Sequence, residues 1–161
     1  MSDQHLATYL NDHLAGAAAA LELLAHLEGA HADTALGRVL AGLRADIDAD
    51  RRELEALMGR LQVAVSLPRK AVGWLAEKVA QLKLRLDDPA SGALRLFESL
   101  EALALGIDGK RALWPALAAA AEKAPRLRGT DYARLEQRAD EQRRRVEGAR
   151  LDAARAALGQ T

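Results

Sequence analysis

The chain has 161 residues but contains no cysteine, and aromatic residues make up only 3% of it. The lack of cysteine excludes disulfides, thiolate metal ligands and cysteine nucleophiles, and it fits a reducing compartment. β-Branched residues are scarce, which leaves little from which to build strands. The longest apolar run, at 15–21, is mostly alanine and too short to span a bilayer.

The chain is rich in alanine and leucine, and its positive and negative charges balance. Half of the residues are apolar, and Ala and Leu are strong helix formers, so the composition predicts an all-α protein. Lysine plus arginine equals aspartate plus glutamate at 23 each, which gives no electrostatic reason to expect nucleic acid as a partner. Residues 1–66 are acidic and 67–161 basic, which favours complementary packing of helices.

The N-terminal residues Met1 to His5 lack the basic and apolar regions of a signal peptide. We therefore expect a cytoplasmic protein.

Apolar residues at spacings of three and four predict four helices in a single domain, 1–161. Either Asp33 or Thr34 is a suitable N-cap for the second helix, and either Thr130 or Asp131 for the fourth. Pro115 predicts a kink or interruption in the third helix. The predicted helices span about 3–28, 34–61, 90–123 and 131–158, and a crossover at 62–89 contains a short amphipathic helix at 68–86.

A polar residue interrupts the apolar stripe of the second helix. Asp50 stands at the right spacing between Ile47 and Leu54, where an apolar residue would stabilise a core more. A buried carboxylate needs a partner, a metal ion or a proton. The sequence therefore predicts a polar site at the centre of the bundle.

Two helical hairpins joined by a long crossover resemble the topology of the ferritin-like superfamily. The segments 9–16 and 54–58 are similar to small bacterial ferritin-like stress proteins of unknown activity. The resemblance implies a diiron site of four carboxylates and two histidines. In this chain the ligand positions are degenerate. They fall on Gly16, Asp50, Glu53, Glu101, Ala139 and Gln142.

Two interpretations of the central site follow from these residues. The favoured one is a buried polar network in which Asp50 pairs with His13, Gln142 or a nearby arginine, without metal or cofactor. The alternative is a reduced site in which His13, Asp50, Glu53 and Glu101 hold a single iron, manganese or zinc ion. The first predicts a non-catalytic interaction or stress-related protein, and the second a metal-binding protein or oxidoreductase.

The crossover offers a third possible function. Its basic residues and a tryptophan resemble an amphipathic segment that lies on an anionic membrane, although packing on the bundle is the favoured interpretation. The residues of the crossover face are Lys70, Trp74, Lys78, Lys83 and Arg85.

The Ala-rich helix faces suggest a homodimer.

Overall fold

The computed structural model of the chain describes residues 2–66 and 92–159, and these residues are helical without a strand. This confirms the predicted all-α class. The predicted crossover helix at 68–86 lies outside the described residues. The four helices are α1 (Ser2–Ala30), α2 (Ala35–Arg60), α3 (Gly92–Lys123) and α4 (Tyr132–Leu158), and a 3₁₀ turn, Pro125–Leu127, precedes α4.

Two of the helix starts are fixed by side-chain caps. The Thr34 hydroxyl accepts a hydrogen bond from the Gly37 amide at 3.0 Å, and the Asp131 carboxylate accepts one from the Arg134 amide at 3.0 Å. Each bond satisfies an amide that the helix itself leaves unpaired. Of the kink or interruption expected at Pro115, the interruption does not occur, since α3 continues through this residue. Pro115 is on the exposed side, where water can solvate the carbonyl that loses its partner.

The core consists of two apolar clusters at different levels of the helices. The first cluster lies nearer the 31–34 turn and contains Leu24, Leu40, Leu43, Leu103, Ile107 and Val146 among others. The second cluster lies towards the other end and contains Leu10, Leu57, Met58, Leu113, Trp114 and Leu135 among others. All four helices contribute to both clusters, so one continuous bundle supports both.

Ion pairs between helices fix the direction in which each helix runs. As the residue number increases along α2, the number of its ion-pair partner on α4 decreases. The partners of α3 on α4 follow the same order. Both α2 and α3 are therefore antiparallel to α4 and parallel to each other, as expected for hairpins joined by a crossover. The pairs are Asp46–Arg145, Asp50–Arg138 and Glu53–Arg134 for α2 with α4, and Glu101–Arg150, Asp108–Arg143 and Arg111–Asp140 for α3 with α4.

The segment that follows α2 is held against α1 by one buried side chain. The Asn11 amide nitrogen donates to the Ala64 carbonyl at 3.1 Å, and its oxygen accepts from the Ser66 amide at 2.7 Å. Val63 packs against the second apolar cluster beside these bonds. Asn11 therefore sets the point at which the chain leaves the α1–α2 hairpin.

The free energy of unfolding at low pH should depend on Glu147, which lies on α4. Hydrogen bonds from Arg150 and then Arg143 lower the pKa of Glu147 from 4.5 to about 2. Its stabilising contribution should be complete above pH 4.5, the unfolded value, and should be lost as the pH falls towards 2. Glu147→Gln should therefore lower the free energy of unfolding at pH 7 by a small amount, since partly exposed ion pairs contribute little, and the difference from wild type should shrink between pH 4.5 and 2.

Urea unfolding across this pH range measures the effect. Glu141→Gln, on the exposed face of the same helix, is the matched control and should show little difference at any pH. An equal effect of the two substitutions would contradict the assignment to the Glu147 pairs.

Candidate functional site

A polar layer separates the two apolar clusters. On α2, Asp50 lies between Ile47 of the first cluster and Leu54 of the second. At the same level α3 contributes Lys110 and α4 contributes Gln142. Asp50 is 2% exposed and Gln142 is 1% exposed. The prediction that the Asp50 position is buried is thus confirmed, and its surroundings identify the kind of site.

Hydrogen-bond donors and cations surround the Asp50 carboxylate. Its Oδ2 accepts hydrogen bonds from Lys110 Nζ at 2.6 Å and from Gln142 Nε2 at 2.8 Å. Arg138 Nη2 lies 2.9 Å from Oδ1, at an angle that does not make a hydrogen bond. Lys110 also donates to the Gln142 side-chain oxygen, so three helices are connected through three side chains.

Lys110 is stabilised as a cation mainly by Asp50. Burial lowers the pKa of Lys110 from 10.5, and the charge and hydrogen bond of Asp50 oppose that shift. A buried ammonium without a carboxylate would carry the whole desolvation cost. Each charge of the pair therefore makes the burial of the other tolerable.

His13 is the polar residue that α1 contributes near this level. Its ring packs edge-on against Tyr9, with ring centroids 4.7 Å apart and an interplanar angle of 78°. Burial lowers the pKa of His13 below 6.5, and the nearby Asp12 carboxylate opposes the shift. The imidazole is therefore neutral at pH 7, with one donor and one acceptor nitrogen.

A partly enclosed cavity of about 250 Å³ lies between α1, α2 and α3 beside the polar layer. His13, Asp50 and Lys110 border it on the polar side. Small residues leave the space open, because a Cβ added at Gly16 or Gly109 would meet nothing within 4 Å. Most of the remaining wall is apolar and includes Ala17, Ala20, Ile47, Leu54, Ile107, Leu113 and Trp114.

The structure brings together only part of the predicted site. Asp50 and Gln142 are in direct contact, and His13 lines the same cavity as Asp50. Glu53 is 39% exposed and forms an ion pair with Arg134 at 2.9 Å.

Glu101 also lies away from the polar layer. Its carboxylate meets Arg150 at 3.1 Å and is 45% exposed. It stands nine residues before Lys110, roughly 14 Å along a helix that rises 1.5 Å per residue. The predicted face formed by Lys70, Trp74, Lys78, Lys83 and Arg85 lies outside the described residues.

The contacts of Asp50 do not fit the diiron centre that the resemblance implies. They do not fit the alternative site for a single ion either. A divalent cation at this carboxylate would meet the Lys110 ammonium and the Arg138 guanidinium, and both would repel it. Within 2–66 and 92–159, no three histidine or acidic side chains converge as a metal site requires. The described side chains around Asp50 therefore support charge pairing and hydrogen bonding.

Sequence reasoning missed Lys110, the main partner of Asp50, although a signal for it exists. In the apolar stripe of α3, Ile107 and Trp114 are seven positions apart, and Lys110 stands between them at the helical spacing. A lysine in such a gap is easily assigned to the surface, because its flexible stem can carry the charge to water. Asp50, Lys110 and Gln142 each interrupt an apolar stripe on a different helix.

Comparison of the chain with protein-family models, curated proteins and solved structures found no match. The resemblance to the ferritin-like superfamily therefore depends on the residues and helix order described above. None of the helices in the described ranges combines the length and apolar character needed to cross a membrane.

Removing the Asp50 carboxylate should destabilise the bundle strongly. Asp50→Ala leaves Lys110 buried without its carboxylate, and breaking a buried ion pair in this way costs about 3–5 kcal/mol. The double variant Asp50→Leu, Lys110→Met should regain part of that loss, because it removes both charges and fills similar volume. The recovery should be incomplete, because the buried Gln142 amide loses both of its partners.

Chemical denaturation of the single and double variants measures the difference. Asp48→Ala is the control, since Asp48 pairs with Arg51 and Arg52 on the partly exposed side of α2, where ion pairs contribute little. A loss no larger for Asp50→Ala than for Asp48→Ala would show that the central pair is unimportant to stability.

The protonation of His13 offers a separate check on the cavity wall. We expect its pKa in the native protein to lie below 6.5, and Asp12→Asn should lower the pKa further by removing the charge that favours the imidazolium. As the pH falls, His13 is protonated in the unfolded chain at a higher pH than in the native protein. Its contribution should therefore lower the free energy of unfolding below pH 6.5.

An NMR titration of the imidazole resonances tests both statements. A native His13 pKa at or above 6.5 would be inconsistent with a buried, neutral ring.

Proposed function

We propose that this chain is a ferritin-like helical bundle that works as a metal-free binding or interaction module. The observation that carries the proposal is the Lys110 ammonium, 2.6 Å from Asp50 Oδ2 at the bundle centre. In that position a lysine supplies the positive charge that a metal ion would bring to the carboxylate.

The order of the helices supports the ferritin-like part of the proposal. α2 and α3 run parallel and are both antiparallel to α4, as in two hairpins joined by a bundle-length connection. The remaining contacts of the central carboxylate support the metal-free part. Arg138 adds a second cation beside Asp50, and Gln142 fills the position where the superfamily motif has a histidine.

The alternative oxidoreductase function lacks comparable support. Glu53 and Glu101 each meet an arginine at the partly exposed surface. Activation of oxygen by iron needs several anionic or imidazole ligands around one volume. With these carboxylates directed to other partners, the interaction or stress-related role is the one that the arrangement favours.

Other parts of the functional prediction stay open to test. A homodimer through Ala-rich faces, a cytoplasmic location and binding of the basic crossover to anionic membranes remain predictions. Sedimentation of the full chain with anionic and neutral liposomes at low salt would distinguish membrane attachment from packing on the bundle.

Metal content and ferrous oxidation test the proposal directly. Protein made in iron-supplemented medium and purified without chelator should contain far less than one iron, manganese or zinc ion per chain. It should also oxidise added Fe²⁺ in air no faster than buffer. Elemental analysis and an absorbance assay for ferric product provide the measurements.

Asp50→Ala and Asp48→Ala serve as paired variants in these experiments. A stoichiometric ion that Asp50→Ala loses and Asp48→Ala retains would reject the metal-free function. Catalysed iron oxidation with the same dependence on Asp50 would establish the oxidoreductase alternative.

A further inference from the structure

We propose that the cavity between α1, α2 and α3 binds a neutral, mainly apolar small molecule that carries one hydroxyl or carbonyl group. This inference builds on the proposed metal-free function, because an ion at Asp50 would compete for the polar side of the same space. It specifies where the proposed binding module would bind a ligand and what class of ligand that would be.

The volume of the cavity sets the size of the ligand. An engineered apolar cavity of about 150 Å³ accommodates benzene. At about 250 Å³, this cavity has room for a molecule of roughly ten non-hydrogen atoms on the same scale.

The walls divide into a large apolar part and a small polar part. Ile107 and Leu113 of α3 and Leu54 of α2 supply buried apolar surface, and Trp114 adds an aromatic ring. Ligand sites with this character bind mainly by apolar contact and use a few polar groups for orientation. The apolar area therefore requires a ligand that is hydrocarbon over most of its surface.

The polar side can orient one small polar group. Lys110 has three N–H donors, and Asp50 and Gln142 accept two of them, so a ligand oxygen can accept the third. The neutral imidazole of His13 offers a donor and an acceptor on the α1 side. A hydroxyl or carbonyl group can use these positions without bringing a charge into the cavity.

The charges already present disfavour an anionic ligand. The Lys110 charge is paired with Asp50, and Asp12 places a further carboxylate at the exposed edge of the cavity. The other cation of the wall, Arg51, is already paired with Asp48 and Glu55. A carboxylate that enters must lose its hydration without gaining an unpaired cation. The structure therefore favours a neutral head group over an anionic one of similar length.

The opening of the cavity is consistent with entry of a small molecule. Leu105 lines the cavity and is 50% exposed, and Gly109 on the same helix is exposed as well. An apolar molecule can thus pass between α1 and α3 without unfolding a helix, since the residues at this edge include glycines with open space around them.

Binding of 1-octanol and of octanoate to the full-length chain tests the proposal. We expect saturable binding of 1-octanol by calorimetry, and a shift of the Trp114 indole N–H signal in NMR spectra assigned with Trp74→Phe. Octanoate, with a similar chain and a charged head, should bind at least about tenfold more weakly, a difference of 1.4 kcal/mol.

Matched glycine variants locate the site. Gly16→Leu should weaken 1-octanol binding at least about tenfold by filling the cavity, and Gly109→Leu should do so from the opposite wall. Gly148→Leu adds the same side chain to an exposed glycine of α4 and should leave the affinity within about twofold. Thermal unfolding of each variant establishes that it is folded.

Three outcomes would overturn the proposal: no saturable binding of 1-octanol, octanoate binding as tight as that of the alcohol, or equal weakening by the Gly16 and Gly148 substitutions. These outcomes are distinct from failure of the metal-free function. Elemental analysis of the same samples would detect an ion whether or not a probe binds.

Discussion

The contact between Asp50 and Lys110 is the interaction on which the centre of this bundle depends. Each residue occupies a position in an apolar stripe, and each would be costly to bury alone. Gln142 satisfies both of them with one amide, donating to the carboxylate and accepting from the ammonium. Because the three side chains come from three helices, a slip of α2 or α3 by one turn would leave a charge unpaired, and a slip of α4 would remove the amide that bonds to both charges. The pair thus favours one alignment of α2, α3 and α4.

The ion pairs nearer the surface extend that alignment. The N-terminal half of the chain is acidic and the C-terminal half basic, and the predicted complementary packing is seen directly between α2 and α4. On either side of Asp50, Asp46 and Glu53 face Arg145 and Arg134 of α4 in antiparallel order. Exposed pairs of this kind contribute little individually. Their order along the helices nevertheless disfavours a parallel arrangement of α2 and α4, in which acidic residues would lose their basic partners.

Periodicity was sufficient to predict the four helices and the burial of Asp50, because these depend on local spacing. Residue type narrowed each N-cap to two neighbouring residues, and the structure shows that Thr34 and Asp131 are the ones used. The partner of Asp50 depends on which helices meet and at what level, and spacing within one helix does not contain that information. Glu101 illustrates the difference. It matches a ligand position by its place on the third helix, but the antiparallel register of α3 and α4 sets it beside Arg150. Pro115 was expected to kink or interrupt α3, and its exposed position allows the helix to continue without interruption.

The same arrangement explains why a cavity borders the charged pair. A buried ion pair requires both heads to meet at a fixed separation, and this constrains how closely the surrounding helices can approach. At this level α1 offers Gly16 and Ala17, which are too small to reach the facing wall formed by Ile107 and Trp114 of α3. Larger residues at the same positions would bury more apolar surface and stabilise the fold. The small residues therefore leave apolar wall without a packing partner, and a bound apolar molecule would restore those contacts.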